Sequence, residues 1–434
     1  MKIAVIGAGV VGVTTAYELA ADGHQVTVFE RRGSVAEESS FANAGVIAPG
    51  YVTPWAAPGM PGKVLRYLFS AHSPVRLSWP LSGADLRWMR RWLRAARLET
   101  YLANRRHLQN LAFYSRARLH ALAAALELEF DRAQGYTVLL RSLADAKMIE
   151  PSLSVLRELG VPFAQLNEEG TRAHEPALNP DNRFFGSVHL TQDEVGNCRQ
   201  FTQLLKAKAQ DIGVDFRFGA LVERLTPSTK PSSVAIAFAA SDSAQSSFDL
   251  AQYGPTQTES FDAAVLCAGV DSTALLSPLG LRLPLVPVYG YSISAPVKEH
   301  MNAPRSALMD ERYKVAISRL GLRVRVAGGA ELGGSPAKMR KASIQTLYKV
   351  LQDWFPGAAA LGHVQTWKGA RPMLPDGPPV LGASGLAGVW LNLGHGSSGW
   401  ALSCGSARVL ADLVGGRAPE IDLSGLGVER LRAT

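Results

Sequence analysis

The feature that most constrains the fold is a glycine-rich loop near the amino terminus. Before it, residues 2–7 read Lys-Ile-Ala-Val-Ile-Gly, which is typical of a buried parallel strand. The loop, Gly7-Ala8-Gly9-Val10-Val11-Gly12, has GxGxxG spacing. A helical pattern then runs through Ala21, and a second strand, Gln25–Phe29, ends in Glu30. This order of strand, glycine loop, helix, strand and acid predicts a Rossmann-like dinucleotide-binding fold.

Each glycine of this loop has a mechanical role. Gly7 permits the tight turn, Gly9 lets the backbone approach a pyrophosphate, and Gly12 lets the helix pack on the strand. The helix N-terminus presents N–H groups and its positive dipole end to the phosphates. Glu30 stands 18 residues after Gly12, where an acid can accept hydrogen bonds from ribose hydroxyls. An acid rather than an arginine suits an unphosphorylated adenosine ribose, so FAD and NAD both qualify.

Two further segments carry small residues that suit close contact with a ligand. Residues 33–62 are rich in Gly, Ser, Ala and Pro and read as a long loop. The centre of this loop, Ser39–Gly45, is small and polar, so its backbone can approach a flat ligand closely. Residues 261–269 read as a buried strand that returns to the dinucleotide sheet and ends in glycine.

The remaining patterns predict a mixture of helices and antiparallel strands. Residues 226–260 are rich in Ser and Thr and predict a β-meander, and alternating runs within 284–332 predict antiparallel strands. Helices are predicted at 84–130, 199–212, 340–355 and 400–414, with a strand at 214–218.

The fold class is therefore α/β, with a Rossmann-like dinucleotide-binding domain that carries a β-meander and an α+β substrate domain built on an antiparallel sheet. The first domain is expected to be discontinuous, comprising residues 1–52, 190–275 and 362–434. The substrate domain is expected to comprise residues 53–189 and 276–361.

The excess positive charge lies in one segment, residues 63–106. The formal net charge is +8, and this segment holds ten basic side chains against two acids, so it accounts for the whole excess. Such a basic, aromatic stretch is typical of a solvated helical face with an aromatic core side, or of contact with an anionic membrane. We expect a basic helical segment with peripheral membrane contact, and no nucleic-acid partner. The interleaved apolar side chains are Leu65, Tyr67, Leu68, Phe69, Trp79, Trp88 and Trp92.

The cysteines and the hydropathy of the chain indicate the cellular compartment in which the protein is expected. Cys198, Cys267 and Cys404 lie far apart, so they form neither a disulfide framework nor a CxxC metal or redox motif. This fits a reducing compartment, and no bound metal is expected. No run of 18 uncharged apolar residues occurs, so a transmembrane helix is not expected. We expect a cytoplasmic protein that is peripheral on the inner membrane.

Two carboxyl-terminal segments carry chemistry. In Gly369–Gly377, Arg371 lies in a loop stiffened by Pro and Gly, and its planar fork can bind both oxygens of a carboxylate. An ion pair with Asp376 or simple solvation is the alternative. Residues 394–400, Gly-His-Gly-Ser-Ser-Gly-Trp, form a glycine-rich turn before a helix. Such a helix start would stabilise the negative charge of a reduced flavin, while His395 alone could be a packed structural histidine.

These motifs together resemble a known family over nearly the whole chain. The sequence resembles the small, FAD-carrying subunit of bacterial D-amino acid dehydrogenase, within the D-amino acid oxidase and glycine oxidase superfamily. The amino-terminal glycine loop is common to many flavoproteins. More specific are Ser40–Gly45, the continuations at 49–51 and 54–59, Gly290-Tyr291-Ser292, Tyr313-Lys314, residues 371–377, Gly394-His395-Gly396, Gly399-Trp400 and Cys404-Gly405-Ser406.

The resemblance implies a function. The first domain would be an FAD-binding domain with non-covalent FAD, and D-amino acids would be deaminated to 2-oxo acids and ammonia by hydride transfer to flavin N5. Electrons would pass to a membrane quinone or another non-oxygen acceptor. The catalytic residues would be Arg371, which binds the substrate carboxylate, with Tyr291, Tyr313 and His395. The cofactor-binding residues would be Gly7, Gly9, Val10, Val11, Gly12, Glu30, Arg31, Ser40, Asn43, Ala44, Gly45, Val222, Ala268, Gly269, Gly394, His395, Gly396, Ser397, Ser398 and Gly399.

The chain departs from the family pattern at a few positions. Tyr289 precedes Gly290 where lysine is expected, and Ser397-Ser398 replaces Thr-Leu. These departures bear on substrate range more than on flavin binding. Three alternative functions stay open: an oxygen-using oxidase of glycine, sarcosine or another secondary amine, an NAD-dependent dehydrogenase, and a non-catalytic carrier with a dinucleotide fold.

Overall fold

The computed structural model describes residues 1–67, 72–229, 232–241 and 253–432. The helices are α1 (Val10–Ala21), α2 (Met60–Tyr67), α3 (Gly83–Ala95), α4 (Leu98–Ala125), α5 (Leu143–Glu158), α6 (Glu168–His174), α7 (Cys198–Asp211), α8 (Ser272–Leu276), α9 (Lys341–Trp354), α10 (Gly399–Val414) and α11 (Glu429–Arg432).

The strands alternate with these helices along the chain. They are β1 (Lys2–Ile6), β2 (Gln25–Glu30), β3 (Val46–Ile47), β4 (Val75–Ser78), β5 (Arg132–Leu140), β6 (Ala164–Asn167), β7 (Gly186–Gly196), β8 (Asp215–Phe218), β9 (Ala220–Thr229), β10 (Ser232–Ser241), β11 (Tyr253–Phe261), β12 (Ala263–Leu266), β13 (Val286–Pro296), β14 (Ala307–Asp310), β15 (Val315–Leu320), β16 (Arg323–Gly333), β17 (Gln365–Met373), β18 (Val380–Ala383) and β19 (Val389–Leu393).

A six-stranded sheet carries the glycine loop. Its strand order is β18-β19-β12-β1-β2-β8, and its strands are parallel except for the pairing of β18 with β19. One face packs against α1, α7 and α10, where Ile3, Leu19 and Leu410 are fully buried. Ile3–Ile6 of β1 and the whole of β12 are apolar because both faces of the sheet are covered there.

A three-stranded antiparallel meander, β9-β10-β11, covers the other face of this sheet. Phe29 of β2 joins the two layers, since its ring centroid lies 4.9 Å from that of Phe238 and 5.8 Å from that of Phe261. The predicted meander is present over the described part of 226–260. Residues 230–231 and 242–252 of that segment lie outside the described residues.

A ten-stranded mixed sheet forms the second layer system. Its main order is β17-β13-β16-β15-β14-β5-β7-β3, with β4 paired to β16 and β6 to β7. The antiparallel pairings of β13, β15 and β16 lie within residues 284–332, where the sequence predicted them. The predicted domain boundary at residue 190 falls inside β7, so the division into two domains remains a proposal.

The sequence predicted a helical segment over residues 63–106, and this prediction is wrong in part. β4 interrupts it and pairs in parallel with β16, from Val75 opposite Ala330 to Ser78 opposite Gly333. A second break, at Ala96 and Arg97, separates α3 from α4. Part of the segment, including Leu68 and Phe69, lies outside the described residues. Strand pairing with a distant part of the chain overrides the local helical pattern.

Among the described residues, no helix is both long and apolar enough to span a membrane.

Candidate active site

One large cavity of about 1490 Å³ is lined by loops of both large sheets. The glycine loop, the 39–45 loop and the 394–399 turn contribute from one side. β13, β16 and β17 contribute from the other. The carboxyl ends of the parallel strands β1 and β12 point into it, which is where open α/β sheets bind ligands.

Two glycines of the loop are needed for different reasons, Gly9 for space near a ligand and Gly12 for packing. A β-carbon on Gly9 would lie 3.4 Å from Ser40 Oγ, an ordinary contact, so the protein itself has room for a side chain there. A β-carbon on Gly12 would collide with the carbonyl oxygen of Gly7. Gly12 is therefore required for packing of α1 on β1, whereas Gly9 leaves open the space that a pyrophosphate would need.

Glu30 closes the nucleotide end of the cavity. Its Oε2 accepts a hydrogen bond from the Ala8 N–H at 2.7 Å, and its Oε1 accepts one from the Arg32 N–H at 2.8 Å. Burial raises the pKa of Glu30 even though these two donors favour the charged form. Each oxygen keeps a second lone pair for a ribose hydroxyl.

The neighbouring predicted residues also border the nucleotide end. Arg31, Val222, Ala268 and Gly269 line the cavity. Arg31 forms ion pairs with Glu38 at 2.9 Å and Asp271 at 3.0 Å.

The predicted flavin loop is held in place from behind. Ser318 Oγ donates to the Ala44 carbonyl at 2.7 Å, and Arg325 Nη1 donates to the Asn43 carbonyl at 3.1 Å. Gly45 adopts φ +74°, and a β-carbon there would lie 2.9 Å from the Gly196 carbonyl. The backbone of residues 43–45 therefore presents a flat, side-chain-poor wall to the cavity, as a planar ring system requires.

Ser40 has a different contact from its neighbours. Its Oγ accepts the Val10 N–H at 3.1 Å, so it satisfies one of the free donors at the start of α1. Both residues still line the cavity, and so does Val11. Ser40 thus joins the 39–45 loop to the glycine loop.

Sequence reasoning missed Arg325. Its guanidinium is buried, burial lowers its pKa to about 10, and Nε has no hydrogen-bond partner among the described residues. Nothing in the alternating pattern of β16 marks it, because its neighbour Arg323 on the same face is half-buried and bonds Ser294 instead. A buried cation behind the Asn43 carbonyl adds positive potential beside the predicted ring position.

Arg371 lies on β17 and projects into the opposite side of the cavity. Its Nη1 donates to the Gly329 carbonyl at 2.8 Å, and its Cζ lies 5.6 Å from the centre of the Trp55 ring. Desolvation lowers its pKa to about 10, so the group stays charged at neutral pH. No carboxylate of the described residues lies within ion-pair distance of it. The predicted alternative of a pair with Asp376 is not formed, because Asp376 pairs with Arg430 at 2.8 Å.

The turn at 394–399 connects this arginine to α10. The Gly396 N–H donates to the Pro372 carbonyl at 3.0 Å, which places the turn beside β17. His395 Nε2 lies 3.0 Å from Ser406 Oγ, and burial lowers the pKa of His395 to about 3, so the ring is neutral. Gly394, Gly396, Ser397, Ser398 and Gly399 all line the cavity where α10 begins.

The two predicted tyrosines have different positions. Tyr291 lines the cavity, but its hydroxyl donates to Glu331. Burial, together with that contact, raises the pKa of Tyr291. Tyr313 is not part of the cavity lining. Its ring lies 4.9 Å from Arg141 Cζ and 5.4 Å from Lys349 Nζ, so the structure does not bring Tyr313 to Arg371.

The three cysteines are buried and unpaired. Burial raises the pKa of each thiol to about 12, so none is a ready thiolate. Cys267 touches the cavity wall, and its protonated thiol acts there as a small packing group.

The sequence of this chain is similar to those of known flavoenzymes. The family model described as FAD dependent oxidoreductase matches residues 2–413. The D-amino acid dehydrogenase of Cereibacter sphaeroides is 46% identical, covering 100% of this chain and 96% of the relative. That of Bradyrhizobium diazoefficiens is 42% identical, with 99% of each chain covered.

Solved structures share the fold at low sequence identity. Glycine oxidase from Geobacillus kaustophilus superposes with a TM-score of 0.74 at 18% identity, covering 98% of this chain and 97% of that one. L-proline dehydrogenase from P. horikoshii superposes with a TM-score of 0.68 at 16% identity, covering 99% and 97%. The expected fold class and the expected FAD cofactor are confirmed, and the chain belongs to the family of FAD-dependent oxidoreductases.

Proposed function

We propose that this chain is a dehydrogenase that oxidatively deaminates D-amino acids to 2-oxo acids and ammonia and passes the electrons to a quinone rather than to oxygen. The observation that carries the proposal is Arg371, a desolvated cation without an acidic partner among the described residues, facing the same cavity as the predicted flavin loop. A half-buried cation that faces a cavity and has no acidic partner is suited to bind a ligand anion. The relatives' shared name supports a D-amino acid as that ligand.

Arg371 would set the position of the substrate. The guanidinium can donate to both carboxylate oxygens of a substrate. Its orientation is fixed by the hydrogen bond from Nη1 to the Gly329 carbonyl. The Trp55 ring beside the guanidinium excludes water and strengthens the pair. With its carboxylate anchored, the substrate can present only its Cα region to the 43–45 wall.

The cavity fits FAD, and the chain supplies the contacts that it needs. The open space at Gly9, the start of α1 and Glu30 would hold the pyrophosphate and ribose, and the 43–45 wall would hold the ring. Bound FAD supplies the two-electron acceptor for the Cα hydrogen. The N–H groups at the start of α10 and the Arg325 guanidinium favour negative charge in this region. Because His395 is neutral, it adds no charge of its own.

No protein nucleophile is required for this reaction. The neutral amine of the substrate drives loss of the Cα hydrogen, and water then hydrolyses the iminium product. Residues that exclude bulk water from Arg371 therefore contribute by positioning and electrostatics rather than by covalent chemistry.

The proposal is tested by anaerobic bleaching of the flavin band near ~450 nm, the absorption by which bound flavin is recognised. We expect D-amino acids to bleach the holoenzyme, and L-amino acids, glycine and sarcosine to bleach it much more slowly. Re-oxidation should be faster with a quinone than with air. Bleaching by glycine or sarcosine with rapid re-oxidation by oxygen would instead identify an amine oxidase.

Peripheral membrane contact is a separate part of the proposal. Among the described residues of 63–106, six large apolar side chains are exposed, and they lie among exposed arginines that include Arg87, Arg90 and Arg94. Apolar side chains inserted between basic ones suit an anionic lipid surface. The six are Leu65, Trp79, Leu86, Leu93, Leu98 and Leu102.

Liposome sedimentation tests this contact. Binding to anionic vesicles should weaken with salt, and Arg90→Gln with Arg94→Gln should lower the affinity by roughly 1 kcal/mol per cation. Arg183→Gln, on a side chain that is 87% exposed outside this segment, is the matched control. Equal binding of wild type to neutral and anionic vesicles would contradict the membrane proposal.

A further inference from the structure

The cavity has a second arm that neither the flavin nor the substrate anchor accounts for. From the 43–45 wall it continues along residues 46–53 and ends between α4 and α5. At this end Leu98, Leu102 and Met148 are 61%, 43% and 37% exposed, whereas deeper in the arm Leu153 is only 3% exposed. The gradient from exposed to buried leucines describes an apolar passage from the surface into the cavity. We call this passage the α4–α5 arm.

The arm is far from the substrate anchor along the large sheet. Arg371 is on β17 and Tyr136, at the inner end of the arm, is on β5, and four strands separate them. Five strand spacings correspond to about 24 Å measured along the sheet. The inner end of the arm therefore lies well away from Arg371, within the same cavity.

Two buried donors at the inner end lack acceptors. The Tyr136 side chain is fully buried, and its hydroxyl has no hydrogen-bond partner among the described residues. Arg105 is 3% exposed, and its Nε likewise has no partner there. The other nitrogens of Arg105 donate to Tyr101 Oη at 3.2 Å and to the Ser152 carbonyl at 3.3 Å. Unsatisfied buried donors are costly, and the carbonyl acceptors of a ligand in the arm would satisfy them.

The polar side chains of Tyr51, Glu311 and Lys314, which line this end of the arm, are already paired with one another. Tyr51 donates to Glu311 at 2.8 Å, and Lys314 Nζ contacts both of these residues. The Tyr51 ring lies 5.4 Å from the Tyr136 ring, centroid to centroid. The inner end of the arm thus offers flat aromatic surface, free N–H and O–H donors, and apolar walls toward the outside.

We infer that the α4–α5 arm binds a lipophilic quinone. A lipophilic quinone has a flat ring with two carbonyl acceptors and no donors, and it carries an apolar tail. The ring matches the aromatic surface and free donors of the inner end, and the tail matches the leucine-lined mouth. Leu98 and Leu102 at the mouth belong to the exposed apolar set of the basic segment. A tail that enters there would come directly from the lipid surface.

This inference rests on the proposed function, because that function supplies the electrons. The overall reaction balances as D-amino acid, water and quinone giving 2-oxo acid, ammonium and quinol. Two electrons and two protons reach the quinone, and the broken bonds are the substrate Cα–H and Cα–N bonds. Substrate and quinone can be bound together because Arg371 and the arm occupy different parts of the cavity.

The test fills the mouth of the arm without touching the substrate anchor. Leu102→Trp and Met148→Trp each enlarge a partly exposed side chain that lines the arm. Leu86→Trp is the matched control, since Leu86 is 55% exposed in the same basic segment but does not line the cavity. Each holoenzyme is assayed for anaerobic bleaching by a D-amino acid, for reduction of ferricyanide, and for reduction of a ubiquinone analogue with a decyl tail. A photoreactive azidoquinone is cross-linked to wild type, and the labelled peptides are mapped.

The expected result separates the two half-reactions. Leu102→Trp and Met148→Trp should lower kcat/KM for the decyl quinone by about tenfold or more, while bleaching, ferricyanide reduction and the Leu86→Trp control stay at wild-type values. The azidoquinone should label peptides that contain residues 98–109 or 148–156, and excess decyl quinone should prevent the labelling.

Four outcomes would overturn the inference in distinguishable ways. If wild type bleaches with D-amino acids but reduces only ferricyanide, the quinone part of the proposed function fails with it. If wild type reduces quinone and the two tryptophan variants match Leu86→Trp, only the location is wrong. If the variants slow bleaching itself, the arm is a substrate entry path. Absence of bleaching in wild type would refute the proposed function as a whole.

Discussion

Arg371 and Gly290 occupy one site from two neighbouring strands. Arg371 pairs with Val288 across β17 and β13, and its guanidinium lies over Gly290, in the space that a side chain at residue 290 would fill. Gly290 has no positive φ among the backbone angles, so the chain conformation does not call for glycine there. The absent side chain is what allows the guanidinium to lie flat against β13 and face the cavity.

Gly290→Ala is therefore expected to displace the guanidinium without disturbing the fold. A misplaced fork cannot hold both carboxylate oxygens. We expect kcat/KM for a D-amino acid to fall by about 10- to 100-fold, chiefly through KM, with FAD content unchanged. Gly362→Ala is the matched control, because a β-carbon there meets no atom within 4 Å. Wild-type kinetics for Gly290→Ala would show that the position of the guanidinium is not critical.

Arg371→Ala should remove the carboxylate anchor itself. A charge-assisted bidentate pair in a water-poor site is worth about 2–5 kcal/mol on truncation. We expect kcat/KM to fall by on the order of 10²- to 10³-fold, and Arg371→Lys to restore only part of it. The measurement compares a D-amino acid with its amide. If the variant keeps the wild-type preference between them, or loses flavin instead, Arg371 has a structural role only.

Alanine at Gly9 and alanine at Gly12 should affect different properties, FAD affinity in the first case and stability of the apoprotein in the second. Gly9→Ala places a methyl where only the Ser40 hydroxyl is near, so the apoprotein should keep its stability and bind FAD much more weakly. Gly12→Ala collides with the Gly7 carbonyl, so it should destabilise the apoprotein as well. Thermal unfolding of the apoprotein and fluorescence titration with FAD separate these effects. Undiminished FAD affinity in Gly9→Ala would contradict the placement of the pyrophosphate.

Stability should fall as the pH rises from about 4 to 7. Burial raises the pKa of Asp193 from 3.8 to about 7, although the Gly50 N–H donates to it at 3.3 Å. Between these values the folded state holds a proton that the unfolded state has lost. Folding then loses about 1.4 kcal/mol for each pH unit.

Urea unfolding of the wild type at pH 5 and pH 8 measures this loss. Asp193→Asn should flatten the dependence by removing the titrating group, while Asp181→Asn, at an exposed position, should not. Glu175, whose pKa burial also raises to about 7, leaves a residual slope of the same sign. An unchanged slope in Asp193→Asn would show that Asp193 is already ionised.

Much of the cofactor half could be predicted from the sequence because its determinants are local. Within residues 2–30 the order of apolar run, glycine turn, helix and acid specifies a strand-turn-helix-strand unit, and the structure has β1, α1 and β2 there. The helices near 199–212, 340–355 and 400–414 were likewise predictable from periodicity that repeats every few residues. In each case the signal and the structure share the same short stretch of chain.

The rest was decided by the tertiary structure, because burial and pairing join distant residues. β4 forms by pairing with β16. The paired stretch begins with Val75 opposite Ala330, which lies 255 residues later in the chain. Tyr313 lies away from Arg371 because its ring packs on Arg141. Arg325 and Arg105 resemble surface arginines in the sequence, and only the surrounding fold removes them from water. Neither arginine has an ion-pair partner in the part of the chain that the structure describes. The local pattern of a chain determines backbone conformation, whereas the desolvation and partners of a charge depend on every element that packs around it.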